Sequence, residues 1–167
     1  MKKKKNNDFK IGEIVVYPKH GVGEIKKIES MEIGSIKTRF YLVQMEQAKL
    51  MIRVPLDKQN EVGLRKIASK KILDDVFSTL KLKPKIRRIM WSRRAQEYDS
   101  KIHSGDPIKI SEVIRDLFRK SNQPEQSYSE RQMFQIALER LAREVAAVEK
   151  TDYFQATEKI ENTLFNK

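Results

Sequence analysis

The sequence contains no cysteine, so disulfide bonds, thiolate zinc sites and a cysteine nucleophile are all excluded. Histidine is scarce as well: His20 lies in a glycine-rich turn and His103 lies at a predicted helix end. The HExxH, GxSxG, Walker and GxGxxG patterns of enzymes and nucleotide-binding proteins are missing. We therefore predict that the protein is not an enzyme and that it binds no metal, cofactor or small-molecule substrate.

Long hydrophobic runs are also missing. No stretch approaches the roughly 20 apolar residues that a membrane helix needs. The charged residues 1–8 include a tetralysine and are not followed by an apolar segment, so they do not resemble a secretory signal. We expect residues 1–8 to form a disordered basic tail. The absence of cysteine agrees with a reducing compartment, so we expect a cytoplasmic protein that makes no membrane contact.

Acidic residues are in the minority. The 167 residues include 35 Lys and Arg against 23 Asp and Glu, which gives a net charge of +12. The excess is concentrated in residues 64–120, where 16 basic residues face 7 acidic ones. A basic surface favours a polyanionic partner, because each Lys or Arg placed against a phosphate releases a condensed counterion. Many ribosome-associated or merely soluble bacterial proteins are basic too, so charge alone favours a nucleic-acid partner only modestly.

The hydrophobic pattern changes near residue 63. Residues 9–63 alternate with period two in short runs bounded by Gly, Pro or Ser, which is typical of strands. These runs are Ile14 to Tyr17, Val22 to Ile28, Ile36 to Met45, and Leu50 to Val54. Four or five short strands in about fifty residues predict a small β-barrel of the SH3 or Tudor type.

Residues 64–167 show helical periodicity instead and predict a bundle of four or five helices. Several residues are suited to cap these helices. They are Ser69, Asp106 followed by Pro107, Ser129 paired with Gln132 in a capping box, and Thr151. The fold class predicted from the whole sequence is therefore α+β, with a β-barrel domain followed by an all-α domain.

The most unusual local feature is the basic segment, residues 81–94. It contains seven basic residues, no acidic residue and the only Trp of the chain. Basic side chains contact phosphates, and a flat aromatic ring can stack on a base or wedge between base steps. The spacing of Trp91, Ala95, Tyr98 and Ile102 predicts instead that Trp91 packs in the helical core. A helix that starts near Ser92 would leave Trp91 at its end, where the ring could project. The candidate DNA contacts are Trp91, Arg87, Arg88, Arg93 and Arg94.

A second candidate interface is the strand from Leu50 to Pro55. Period two places Leu50, Ile52 and Val54 on one face and Met51 and Arg53 on the other. An exposed Arg and Met can anchor a protein partner, although an ordinary surface strand carries such residues too.

Several separated motifs, in this order, resemble the CarD/CdnL family of bacterial transcription regulators. Residues 9–23, with the turn Pro18-Lys19-His20-Gly21, look like the opening strand and turn of that family. The segment Ile52-Arg53-Val54-Pro55 looks like its polymerase-contacting strand. Three further segments look like the DNA-binding half of the family. They are Trp91-Ser92-Arg93-Arg94, Gly105-Asp106 and Val113-Ile114-Arg115-Asp116-Leu117. The resemblance spans about residues 9 to 165.

The resemblance implies a function. Family members bind a lobe of the RNA polymerase β subunit through the Tudor-like domain, and Arg53 matches a contact residue there. Their helical domain lies on promoter DNA at the upstream edge of the melted region. The Trp that matches Trp91 wedges into the minor groove and slows bubble collapse. We expect Met51 to lie at the polymerase contact, and we expect a monomer whose contacts to DNA are independent of base sequence.

The sequence departs from the family pattern at two positions. Some relatives have a basic polymerase contact where this chain has Met31, and some have a Lys where this chain has Gln96.

The main alternative is a free-standing, non-specific DNA-binding protein of the nucleoid type. An RNA-processing or ribosome-bound module is a further alternative.

Overall fold

The computed structural model describes residues 8–47 and 49–166. The chain divides into two compact units, Met1–Ile67 and Ala68–Lys167. The predicted tail at residues 1–8 lies outside the described residues except for Asp8. We expected the β-domain to occupy residues 9–63, and a short strand that pairs with the sheet lies just beyond that range.

The first unit is a five-stranded antiparallel sheet with strand order β4-β3-β2-β1-β5. Its strands are β1 (Ile14–Tyr17), β2 (Gly21–Ile33), β3 (Ile36–Met45), β4 (Met51–Pro55) and β5 (Arg65–Lys66). A 3-10 turn (Leu56–Lys58) and the short helix α1 (Gln59–Val62) follow β4. One face of the sheet carries the buried core of this unit. Alternating side chains meet there, including Val15, Ile25, Tyr41, Val43 and Val54.

The second unit contains five helices within the described residues. They are α2 (Lys70–Lys81), α3 (Trp91–His103), α4 (Pro107–Leu117), α5 (Tyr128–Glu149) and α6 (Tyr153–Phe165). Their apolar stripes meet in one core, which includes Val76, Leu80, Val113, Leu141 and Ile160. Among the described helices, none has both the length and the apolar character required to cross a bilayer. The α+β prediction is confirmed.

Two of the predicted helix caps are confirmed. Ser69 accepts a hydrogen bond from the Ile72 amide at 3.3 Å and begins α2. Asp106 accepts from the Ile108 amide at 2.9 Å, and Pro107 occupies the first turn of α4. Both caps lie directly before an apolar stripe, so the local sequence alone identified the start of these two helices.

The predicted capping box at Ser129 and Gln132 is wrong. Ser127 is the cap of α5, because its hydroxyl accepts from the Glu130 amide at 3.2 Å. Residues 127 and 130 form a Ser-x-x-Glu pattern two residues before the predicted Ser-x-x-Gln pattern. The helix therefore starts at Tyr128.

The predicted cap at Thr151 is also wrong. Lys150 adopts a left-handed conformation (φ 56°), and the Thr151 amide donates to the Ala146 carbonyl at 3.0 Å. Thr151 therefore belongs to the end of α5. The next residue, Asp152, caps α6 by accepting from the Gln155 amide at 2.8 Å.

Candidate nucleic-acid and protein interfaces

The basic segment connects α2 to α3. Residues 82–90 have no regular secondary structure, and the side chains from Lys81 to Arg88 are all exposed. Pro84 contributes to this conformation, since a proline cannot donate a helical hydrogen bond. The cations of this connection therefore point into solvent, where a phosphate backbone could reach them.

Trp91 is the first residue of α3, one position earlier than a start at Ser92 would place it. The indole is partly buried at the edge of the helical core. Its ring centroid lies 6.3 Å from that of the buried Tyr98. Trp91 therefore packs on the helical core, as its spacing predicted, and it is also partly exposed, as a DNA wedge requires.

The five candidate DNA contacts lie within one short stretch but differ in their surroundings. Arg88 and Arg93 are exposed, whereas Arg87 forms an exposed ion pair with Glu97 at 2.7 Å. Arg94 is partly buried, with its guanidinium carbon 5.4 Å from the Trp91 ring and 5.7 Å from the Tyr98 ring. Its Nη2 also donates to the Tyr98 hydroxyl at 3.2 Å. Arg94 is therefore placed to support the indole, and Arg88 and Arg93 are the more accessible cations.

Met90 is a residue that the sequence interpretation missed. It is the N-cap residue of α3 and is 74% exposed, directly beside Trp91. A large apolar side chain with such exposure, next to cations and an aromatic ring, belongs to the same surface. The available signal was a methionine at a helix start, where a polar capping residue is usual.

Neighbouring helices hold α3 in position near its C-terminal end. Lys101 Nζ lies 2.8 Å from the Glu112 carboxylate of α4. Arg140 of α5 donates from Nη1 to the Ile102 carbonyl at 3.3 Å. Burial lowers the pKa of Arg140, and the carboxylate of Asp99 acts in the opposite direction by favouring the charged form. These contacts orient the helix that carries Trp91.

The second candidate interface lies on β4, an edge strand of the first unit. The predicted alternation is confirmed within β4, because Val54 is buried whereas Met51 and Arg53 are exposed. The prediction is wrong for Leu50, which precedes β4 and is 40% exposed, so the period-two pattern begins only at Met51. Leu42 of β3 is the register partner of Arg53, so both lie on the outer face of the sheet. Arg53 Nε lies 3.7 Å from the Glu29 carboxylate, in an exposed ion pair. This face presents an exposed cation with Met51 on the same strand face, Leu42 on the neighbouring strand and the Glu29 carboxylate nearby.

The two departures from the family pattern lie on the surface of their units. Met31 is 49% exposed on β2, opposite Thr38 of β3 and beyond the stretch of β3 that pairs with β4. Gln96 is exposed on α3, one turn after the first residues of that helix. Both side chains are therefore accessible to a partner.

Comparisons with known proteins agree with this division into two units. The family model described as the CarD-like/TRCF RID domain matches residues 9–68. The model described as the CarD, C-terminal domain matches residues 75–161. The chain is also similar to a curated Bacillus subtilis (strain 168) protein named "Putative transcription factor YdeB", with 28% identity over 140 residues. That alignment covers 84% of this chain and 92% of the relative.

Proposed function

Since this chain belongs to the CarD family of transcription regulators, we propose that it binds the RNA polymerase β subunit and stabilises the promoter open complex. The first unit binds polymerase through the outer face of β4, with Arg53 and Met51 at the contact. The second unit binds promoter DNA at the upstream edge of the melted region. There the cations of the basic segment approach the phosphates, and Trp91 inserts into the minor groove.

The observation that carries this proposal is the arrangement of the basic segment around Trp91. Exposed cations precede and follow a partly exposed indole at the start of a helix. Cations provide phosphate contacts without base specificity, and an apolar wedge acts on an unstacked or kinked base step. The combination is suited to the junction between duplex and melted DNA.

The polymerase contact is supported by the outer face of β4. Arg53 is exposed on β4, with Met51 on the same face and Leu42 of β3 as its register partner. Arg and Met are enriched at protein interfaces, and an arginine on an apolar surface is a typical anchor. An acidic partner surface would displace Glu29 from its exposed ion pair at little cost.

The two contacts act together through local concentration. A unit that binds polymerase holds the DNA-binding unit near the promoter, which converts a weak DNA contact into an intramolecular one. The wedge then needs to contribute only part of the few kcal/mol that unstacking a base step costs.

The direct test is the lifetime of a promoter open complex with and without this protein. We expect the lifetime to increase when the protein is added to polymerase. A polymerase capture experiment separates the proposal from the free-standing DNA-binding alternative, because that class of protein does not retain core enzyme. An unchanged lifetime together with no capture of polymerase would contradict the proposal.

Without polymerase, binding to duplex DNA is expected to be weak and steeply dependent on salt. If four or five cations of the basic segment contact phosphates, raising the salt from 50 to 200 mM should lower the affinity by roughly 150-fold to 500-fold. Fluorescence anisotropy with several unrelated duplexes measures this effect. Tight, salt-insensitive binding to one particular sequence would refute the assignment to phosphate contacts.

A further inference from the structure

One backbone group of the basic segment enters a buried site. The Lys85 amide donates a hydrogen bond to Asp116 Oδ1 at 2.9 Å, although the Lys85 side chain is exposed. Asp116 lies on α4 and is only 3% exposed. Residues 82–90 have no regular secondary structure, so this contact ties an irregular segment to a rigid helix.

The Asp116 carboxylate that accepts this hydrogen bond is itself held in place by a neighbouring arginine. Arg115 Nε donates to the same Oδ1 atom at 2.8 Å, and Arg115 is itself only 4% exposed. Burial of the Asp116 side chain keeps water from competing for its carboxylate oxygens. A hydrogen bond from an amide to a buried carboxylate is charge-assisted and roughly twice as strong as a neutral one.

We infer that Asp116 is a positioning residue that holds the basic segment ready for DNA through the Lys85 amide; this inference rests on the proposed function. The contact lies two residues before Arg87 and six before Trp91. Ordering a flexible segment on DNA costs conformational entropy, and a contact formed before binding removes part of that cost. The exposed ion pair between Arg87 and Glu97 is a weaker second restraint.

Substitution at Lys85 tests the contact without disturbing the buried ion pair. Lys85→Ala removes the side-chain charge and keeps the amide N–H, whereas Lys85→Pro removes both. A comparison of these two variants therefore isolates the amide donor. Asp116→Ala is less informative, because it leaves Arg115 buried without its carboxylate and can unfold the unit.

We expect Lys85→Pro to lower the affinity for duplex DNA, measured at low salt, by roughly fivefold relative to Lys85→Ala. The lifetime of the open complex should fall in the same proportion. The salt dependence should be equal in the two variants, since both lack the same cation. Ile86→Pro, compared with the wild type, is the control for the ring itself: it introduces the same ring one residue later and leaves the Lys85 amide and charge in place. It should lower the affinity by less than Lys85→Pro does relative to Lys85→Ala.

Amide hydrogen exchange provides a readout that a DNA assay does not. In the free wild-type protein and in Asp116→Asn, exchange at Lys85 is compared by mass spectrometry or NMR. We expect exchange at Lys85 to be slower than intrinsic by at least about tenfold in the wild type and faster in the variant, in which the acceptor has lost its charge. The core amides of α5 should keep their wild-type protection in the variant, which separates loss of this contact from unfolding of the unit.

Unprotected exchange at Lys85, or equal DNA affinity of Lys85→Pro and Lys85→Ala, would overturn the inference. These outcomes are distinct from failure of the proposed function. If the wild-type protein has no effect on the open complex, the exchange rates and duplex affinities still decide whether Asp116 positions the segment.

Discussion

Replacing Trp91 by alanine is expected to shorten the lifetime of the promoter open complex by about tenfold, with little effect on binding to intact duplex. An inserted ring recovers part of the unstacking energy only when the DNA is already kinked or melted, so its loss acts on the open state. Intact duplex is bound mainly through phosphate contacts, which the variant retains. Dissociation kinetics of the open complex after addition of a competitor measure the change.

The same substitution also tests how far Trp91 contributes to the fold. Trp91 packs against Tyr98 but is not fully buried. We therefore expect Trp91→Ala to lower the free energy of unfolding by less than the roughly 3–5 kcal/mol that truncation of a buried Trp costs. Because Trp91 is the only tryptophan, the emission of the free protein reports on it alone. The wavelength of its emission maximum should lie between that of a buried indole and that of a solvated one.

Phe154→Ala is the control for the loss of an exposed aromatic ring. Phe154 lies at the start of α6 and is 79% exposed, outside the basic segment. Its removal should leave the lifetime of the open complex unchanged. If Trp91→Ala greatly lowered thermal stability while the lifetime stayed that of wild type, Trp91 would be a core residue and not a wedge.

Arg53→Glu is expected to weaken polymerase binding by at least about thirtyfold. Charge reversal replaces attraction to an acidic partner surface with repulsion, and it also places a carboxylate near Glu29. The fold should survive, because Arg53 is exposed and a surface ion pair contributes at most about 1 kcal/mol. Capture of core polymerase by tagged protein, with thermal melting of each variant, measures the two effects separately.

The control for this prediction is Lys66→Glu. Lys66 lies on β5, at the opposite edge of the same sheet, and it also forms an exposed pair with a glutamate, Glu13, at 3.9 Å. It therefore undergoes the same charge reversal in a similar setting. Polymerase capture that is equal for wild type, Arg53→Glu and Lys66→Glu would remove Arg53 from the contact.

The sequence alone predicted the features that depend on neighbouring residues. Alternation along β4 placed Arg53 in solvent and Val54 in the core, because strand side chains point to opposite faces in turn. Ser69 and Asp106 identified helix starts, because a cap bonds to amides two or three residues away. The seven cations around the single Trp were likewise visible as a local cluster.

Tertiary structure decided what depends on distant residues. Lys85 and Asp116 are 31 residues apart, so no periodicity connects the basic segment to α4. The partly buried position of Trp91 likewise arises from its place at the first residue of α3 and the edge of the core. Short-range hydrogen bonds and side-chain periodicity are encoded locally, whereas burial and long-range contacts exist only after the helices have packed.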